Sequence, residues 1–134
     1  ASLVGSEMCK ETGVEVANVS QNNTEEISAL LLQSDPPTAI VVSDDILAVS
    51  LERVCLQNKL SIPEDLSIIS FNNSLFARLT SPQLTSIDIN SCQLGIEAAS
   101  QIINHIENPG LVATKIIVPH HLIERDSCCK ISGE

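Results

Sequence analysis

The pattern that most narrows the folds open to this chain is an apolar run, a long helical stretch and a second apolar run in succession. "TAIVVS" (38–43) reads as a short apolar strand of the buried parallel type. "DILAVSLERVCLQNKL" follows, with Ser43 and Asp44 as candidate N-caps. "SIPED" (61–65) then turns the chain into "LSIISF", a further buried strand. Strands alternating with helices of ten or more residues imply βαβ units and a parallel sheet with helices on both faces.

The same alternation extends outward. "GVEVANVS" (13–20) reads as a strand, and "NNTEEISALLLQS" as a helix with Asn23 and Glu26 spaced as a capping box. Pro36-Pro37 stops that helix. "LTSIDI" (84–89) is a short strand, and the helix beginning at "SCQLGIEAAS" carries Leu94, Ala98, Ile102 and Ile106 on one stripe until Asn108-Pro109-Gly110. "TKIIVPHHLIER" (114–125) is extended but interrupted by Pro119, which suits an edge or crossing strand. The helix over 46–57 is apolar almost all round (Ile46, Leu47, Val49, Leu51, Val54, Cys55, Leu56), so it requires cover on more than one side, which predicts a partner surface.

A chain of 134 residues with 43% hydrophobic residues is enough for one compact domain. No apolar run is long enough to span a bilayer, and the first residues resemble no secretory signal. The absence of an initial Met reads as a piece of something longer. A net charge of −10 should repel nucleic acid and anionic membrane. The five cysteines (Cys9, Cys55, Cys92, Cys128, Cys129) lack metal-like spacing and read as reduced thiols of a cytoplasmic protein.

Glycine-rich phosphate loops and a nucleophile elbow are absent, and no nucleophile or base partners the acids, so neither an enzyme nor a cofactor is expected. His120-His121 point to opposite faces of a strand and cannot readily share a metal ion. Two strand ends are unusually polar: Ser43-Asp44-Asp45 and Asn72-Asn73. On a parallel sheet both fall on the rim where ligands bind. Asp44-Asp45 reads equally as a helix cap or as an acceptor for a hydroxylated ligand.

The order of short blocks is more specific. Pro37-Thr38-Ala39-Ile40, Asp45 with Ala48, Ile62-Pro63-Glu64-Asp65 and Phe71 occur in series. Pro82 with Leu84-Thr85, Leu94-Gly95 with Ala98-Ala99, and Arg125 with Ser127 continue it. Over about residues 36–128 this resembles the effector-binding core of the lactose-repressor/galactose-repressor family of bacterial transcription regulators. "SDDILAV" and "SFNNS" look most like maltose-operon repressors of Gram-positive bacteria.

The resemblance implies a periplasmic-binding-protein-like, three-layer αβα fold, of which this chain supplies mainly the carboxyl-terminal subdomain. Residues 1–89 and 114–128 would form its core, 90–113 the segment that crosses to the absent subdomain in relatives, and 129–134 a tail. The helix over 91–108 should therefore be repacked, swapped or covered by a neighbour. The implied function is sugar sensing and dimerisation within a repressor of maltose or other carbohydrate utilisation. The alternative is a solute-binding protein of a sugar transport system.

Relatives commonly carry Asn where this chain has Asp44, and Asp where it has Asn72; these two, with Asn22, are the implied effector contacts. Leu47, Ser50, Leu51, Val54 and Phe76 are the implied homodimer interface. Operator DNA would be reached only through a missing N-terminal headpiece, and the resemblance leaves a phosphoprotein corepressor open.

Overall fold

The computed structural model describes residues 24–130. The strand read at 13–20, the Asn23 half of the capping box and Asn22 lie outside the described residues. The described chain runs α1 (Thr24–Leu31), β1 (Ala39–Val41), α2 (Asp45–Gln57) and β2 (Ser67–Phe71), then α3 (Leu75–Leu79), β3 (Thr85–Asp88), α4 (Ser91–Glu107) and β4 (His121–Ile123).

The apolar runs pair as their pattern predicts. β1, β2 and β3 are parallel neighbours, with Ile40 opposite Ile68 and Ser70 opposite Ser86. β4 closes the sheet on the β3 side and runs antiparallel, with His121 opposite Asp88. The sheet is therefore mixed, not wholly parallel. Pro119 lies just outside the edge strand, where its missing N–H costs no ladder bond. The short helix α3 carries too few residues to show a helical period and was not legible as a helix.

One apolar cluster holds the domain together. Ile27 and Leu31 of α1 meet Leu47, Ala48, Leu51, Val54 and Cys55 of α2 over Ile68 of β2, with Ala77 of α3 and Leu84 completing it. Asn58 ties the helices as well: its Nδ2 donates to Val54 O at 2.8 Å and to Ser28 Oγ at 3.0 Å.

This packing corrects the reading of α2. Leu47, Leu51 and Val54 are 3%, 2% and 0% exposed inside a single chain, so they cannot themselves form a surface for a second copy. α1, β2 and α3 together cover the helix on several sides, which the apolar pattern alone could not distinguish from cover by a partner. Ser50 is half-buried, and Phe76 is exposed.

α4 behaves differently from expectation. Among the described residues it buries no side chain, and Leu94, Ile102 and Ile106 of its stripe are all exposed. A Cβ added at Gly95 would meet nothing within 4 Å. Repacking onto the described domain is thus not what α4 does, because no described element offers a matching apolar face.

Leu51→Ala should lower unfolding free energy by about 2–5 kcal/mol in urea titrations, as for a large-to-small change in a closed core. Phe76→Ala should cost well under about 1.5 kcal/mol, the lower range for burying such a side chain, because its ring remains half in solvent.

Candidate functional site: the carboxyl rim of the sheet

The rim is built around a buried acid. Asp45 begins α2 and is 2% exposed. Its Oδ1 accepts from Ser70 Oγ at 2.5 Å and Ser86 Oγ at 2.9 Å, and its Oδ2 accepts from the Ser74 amide at 2.6 Å. Ser70 and Ser86 are register partners on β2 and β3, so one carboxylate clips two strands and the loop beyond them to the start of α2. Burying an acid is costly unless donors replace its water, and three converge here.

The neighbouring acid does a different job. Asp44 is the N-cap of α2: its Oδ1 accepts from the Leu47 amide at 2.9 Å, and its Oδ2 accepts from Ser43 Oγ at 3.2 Å. Of the two readings left open for Asp44-Asp45, capping is therefore the one that the described contacts display. Asp44 is half-buried and lies just beyond the end of β1.

The double amide is explained by its backbone. Asn72 and Asn73 have φ of 91° and 45°, two successive residues in the left-handed region. Apart from glycine, asparagine tolerates that region best. Each amide of the corner is satisfied: Asn72 N donates to Ile87 O at 2.9 Å, Asn73 N to Ser86 Oγ at 3.0 Å, and Ser74 N to Asp45.

The two carboxamides then part company. Asn73 turns inward, with Nδ2 donating to Asp88 Oδ2 at 3.0 Å and Oδ1 accepting from Arg125 Nη2 at 2.5 Å. Arg125 also donates to Leu84 O at 2.6 Å, so it braces the corner against β3. Asn72 is exposed, and its carboxamide makes no hydrogen bond to any described residue.

Asp88, at the end of β3, is the residue that sequence reasoning missed. Its carboxyl is held below the usual range, first by the Asn73 carboxamide, then by the Asn90 amide at 2.8 Å, with His121 a smaller influence. Its signal was faint: a polar residue two places after Ser86, on the same strand face. Ser70 and Ser86, hydroxyls within otherwise apolar strands, were the equivalent sign of the Asp45 hub.

The three parallel strand ends thus present Asp44, Asn72 and Asp88 side by side. At about 4.8 Å per strand they span about 10 Å, the scale of one or two sugar rings. Two carboxylates accept hydrogen bonds and one amide both donates and accepts, which suits hydroxyl groups rather than charged or apolar ligands. Asn22 lies outside the described residues, so its place on this rim is undetermined.

A family model described as a periplasmic binding protein-like domain matches residues 4–128. The NTD biosynthesis operon regulator NtdR of Bacillus subtilis is 35% identical over 94 residues, 69% of this chain and 29% of its own length. The transcriptional regulator MalR of Staphylococcus xylosus is 34% identical over 95 residues, 71% of this chain and 28% of its own. Among solved structures, a LacI family transcriptional regulator of Enterococcus faecium with bound ribose superposes with a TM-score of 0.77 at 28% identity. That superposition covers 87% of this chain and 43% of the other. The chain spans under a third of the length of the two curated relatives.

Asp45→Ala should destabilise by about 3 kcal/mol, since it orphans three donors, the buried hydroxyls of Ser70 and Ser86 and the half-buried Ser74 amide, at about 1 kcal/mol each. Ser70→Ala should cost less in that background than alone, which a double-mutant cycle in urea would register. Asp44→Ala should cost about 0.5–2 kcal/mol, the range for a lost N-cap.

Proposed function

This chain belongs to the periplasmic-binding-protein-like domain family, and from that premise we propose that it is the effector-sensing module of a sugar-responsive bacterial transcription regulator. The observation that carries this reading is the exposed, uncommitted carboxamide of Asn72, held in a fully hydrogen-bonded corner between the carboxylates of Asp44 and Asp88. A rigid corner lets a polar side chain bind without first being ordered. The relatives named above are transcription regulators, which favours sensing over solute transport.

The ligand class is a neutral sugar. The solved neighbour with bound ribose supports that class and leaves its member to be measured. In this reading the described domain forms one wall of the cleft, and ligand closes a second wall onto it. A sugar acts on DNA affinity only through a difference in its own affinity for open and closed forms. Repression of a carbohydrate operon is the corresponding output, with operator contact and any phosphoprotein corepressor carried by no residue assigned here.

A dimer belongs to the same proposal, with Phe76 retained from the side chains first expected and exposed neighbours taking the place of the buried Leu47, Leu51 and Val54. Ile46 of α2 and Leu75, Phe76 and Leu79 of α3 are 48%, 61%, 48% and 70% exposed, and they form the apolar surface for an isologous contact. Phe76→Glu should convert a sedimenting dimer to monomer without unfolding it; a dimer that persists would remove this surface.

Asn72→Gly is the cleanest test of the ligand site, because glycine keeps the left-handed backbone and deletes only the carboxamide. In calorimetric titration of the full chain with maltose and ribose, it should weaken the binding sugar at least about tenfold, which equals about 1.4 kcal/mol. Stability should be unchanged or higher. Equal affinity in the variant and the wild type would overturn the assignment.

A further inference from the structure

The strand that closes the sheet brings a fourth side chain to the carboxyl rim. β4 runs antiparallel to β3, so its first residue, His121, stands at the end where β1, β2 and β3 finish. His121 and Asp88 are register partners. Directly opposite residues of an antiparallel pair point to the same face of the sheet, with Cβ atoms about 5 Å apart. His120 lies one position outside the strand and has no partner on β3.

The two partners are held differently. Each oxygen of Asp88 accepts one hydrogen bond, Oδ2 from Asn73 Nδ2 at 3.0 Å and Oδ1 from the Asn90 amide at 2.8 Å. The carboxyl is thereby fixed in place, and both oxygens keep acceptor capacity. His121 is exposed, and its ring makes no hydrogen bond to any described residue. Its backbone is nevertheless set by the β3–β4 ladder, and a side chain carried on a strand meets a ligand more precisely than one on a loop. Arg125, the cation on the other side of Asn73, is already engaged with Leu84 O and Asn73 Oδ1.

A hydroxyl both donates and accepts, so a sugar needs partners of both kinds. Ionised Asp44 and Asp88 only accept, and of the three strand-end groups Asn72 alone donates. A neutral imidazole carries one N–H donor and one acceptor nitrogen, which supplies the missing donor directly beside Asp88.

We propose that His121, paired with Asp88, is a ligand contact of the sugar rim: the carboxylate accepts from one hydroxyl of the ring and the imidazole donates to the adjacent one. This rests on the sugar-sensing reading above and extends the rim by one further strand spacing, about 4.8 Å. It also assigns a specificity. A site built to hydrogen-bond a hydroxyl rejects an analogue that lacks it, because its own polar groups are then left unpaired. Sugars without two adjacent hydroxyls at this end should therefore bind poorly, whereas the middle of the ligand is read by Asn72.

The three histidines of the chain, His105, His120 and His121, serve as internal probes. Their imidazole signals are followed by NMR on the full chain as maltose, and separately ribose, is added, together with the Asn72 carboxamide. Asn72 and His121 should move with the sugar that binds and saturate together, while His105 on α4 stays in place. His121→Ala should weaken that sugar about tenfold. His121→Gln, which keeps a side-chain donor, should regain part of the loss. Neither variant should change the urea midpoint, because the ring is exposed. A moving Asn72 beside a still His121, or His121→Ala binding as tightly as the wild type, overturns the proposal and leaves the sugar-sensing reading standing. If neither signal moves with either sugar, the reading falls and the proposal with it.

Discussion

The buried carboxylate of Asp45 is the contact on which the other features rest. It joins the first turn of α2 to Ser70 of β2, Ser86 of β3 and the amide of Ser74. Each partner belongs to a different element, so the acid sets the register of helix, strands and loop together. Hydrophobic burial over α2 is larger in total, but it is tolerant of position. Three directional bonds on one buried group are not, and they determine where the strand ends stand.

The corner at Asn72 and Asn73 shows how that constraint fixes the rim proposed to face a ligand. With its amides bound to Ile87, Ser86 and Asp45, the corner cannot relax into an extended form. Two left-handed residues are needed in sequence, and the amide side chains are then used in opposite directions. Asn73 ties Asp88 to Arg125, whereas Asn72 faces solvent between two acids. One dipeptide thus supplies both the inward brace and the exposed carboxamide.

Much of the fold was legible because periodicity reports burial directly. The strands at 38–43 and 66–71, the helix starting after Asp44 and the edge position of the last strand all follow from it. What periodicity cannot report is who does the burying. Leu47, Leu51 and Val54 looked like a partner surface and are instead the chain's own core, since α3 was too short to be seen coming. The stripe on α4 presented the inverse problem: its pattern demands cover, and no described element provides it. At the site, Asp44 and Asn72 were visible as polar residues on strand ends. The buried hub made by Asp45 and the parts played by Asp88 and Arg125 were not, because they depend on partners 15 to 52 positions away in the chain.

The central claim is that the carboxyl rim of this sheet is one wall of a sugar site. Hydrogen exchange on the full chain, with and without a saturating sugar, tests it most directly. Binding should slow exchange at the amides of 45–47 and 88–90, with the largest change confined to the strand ends. Protection appearing only on α4 and residues 111–118, with the rim unchanged, would contradict it.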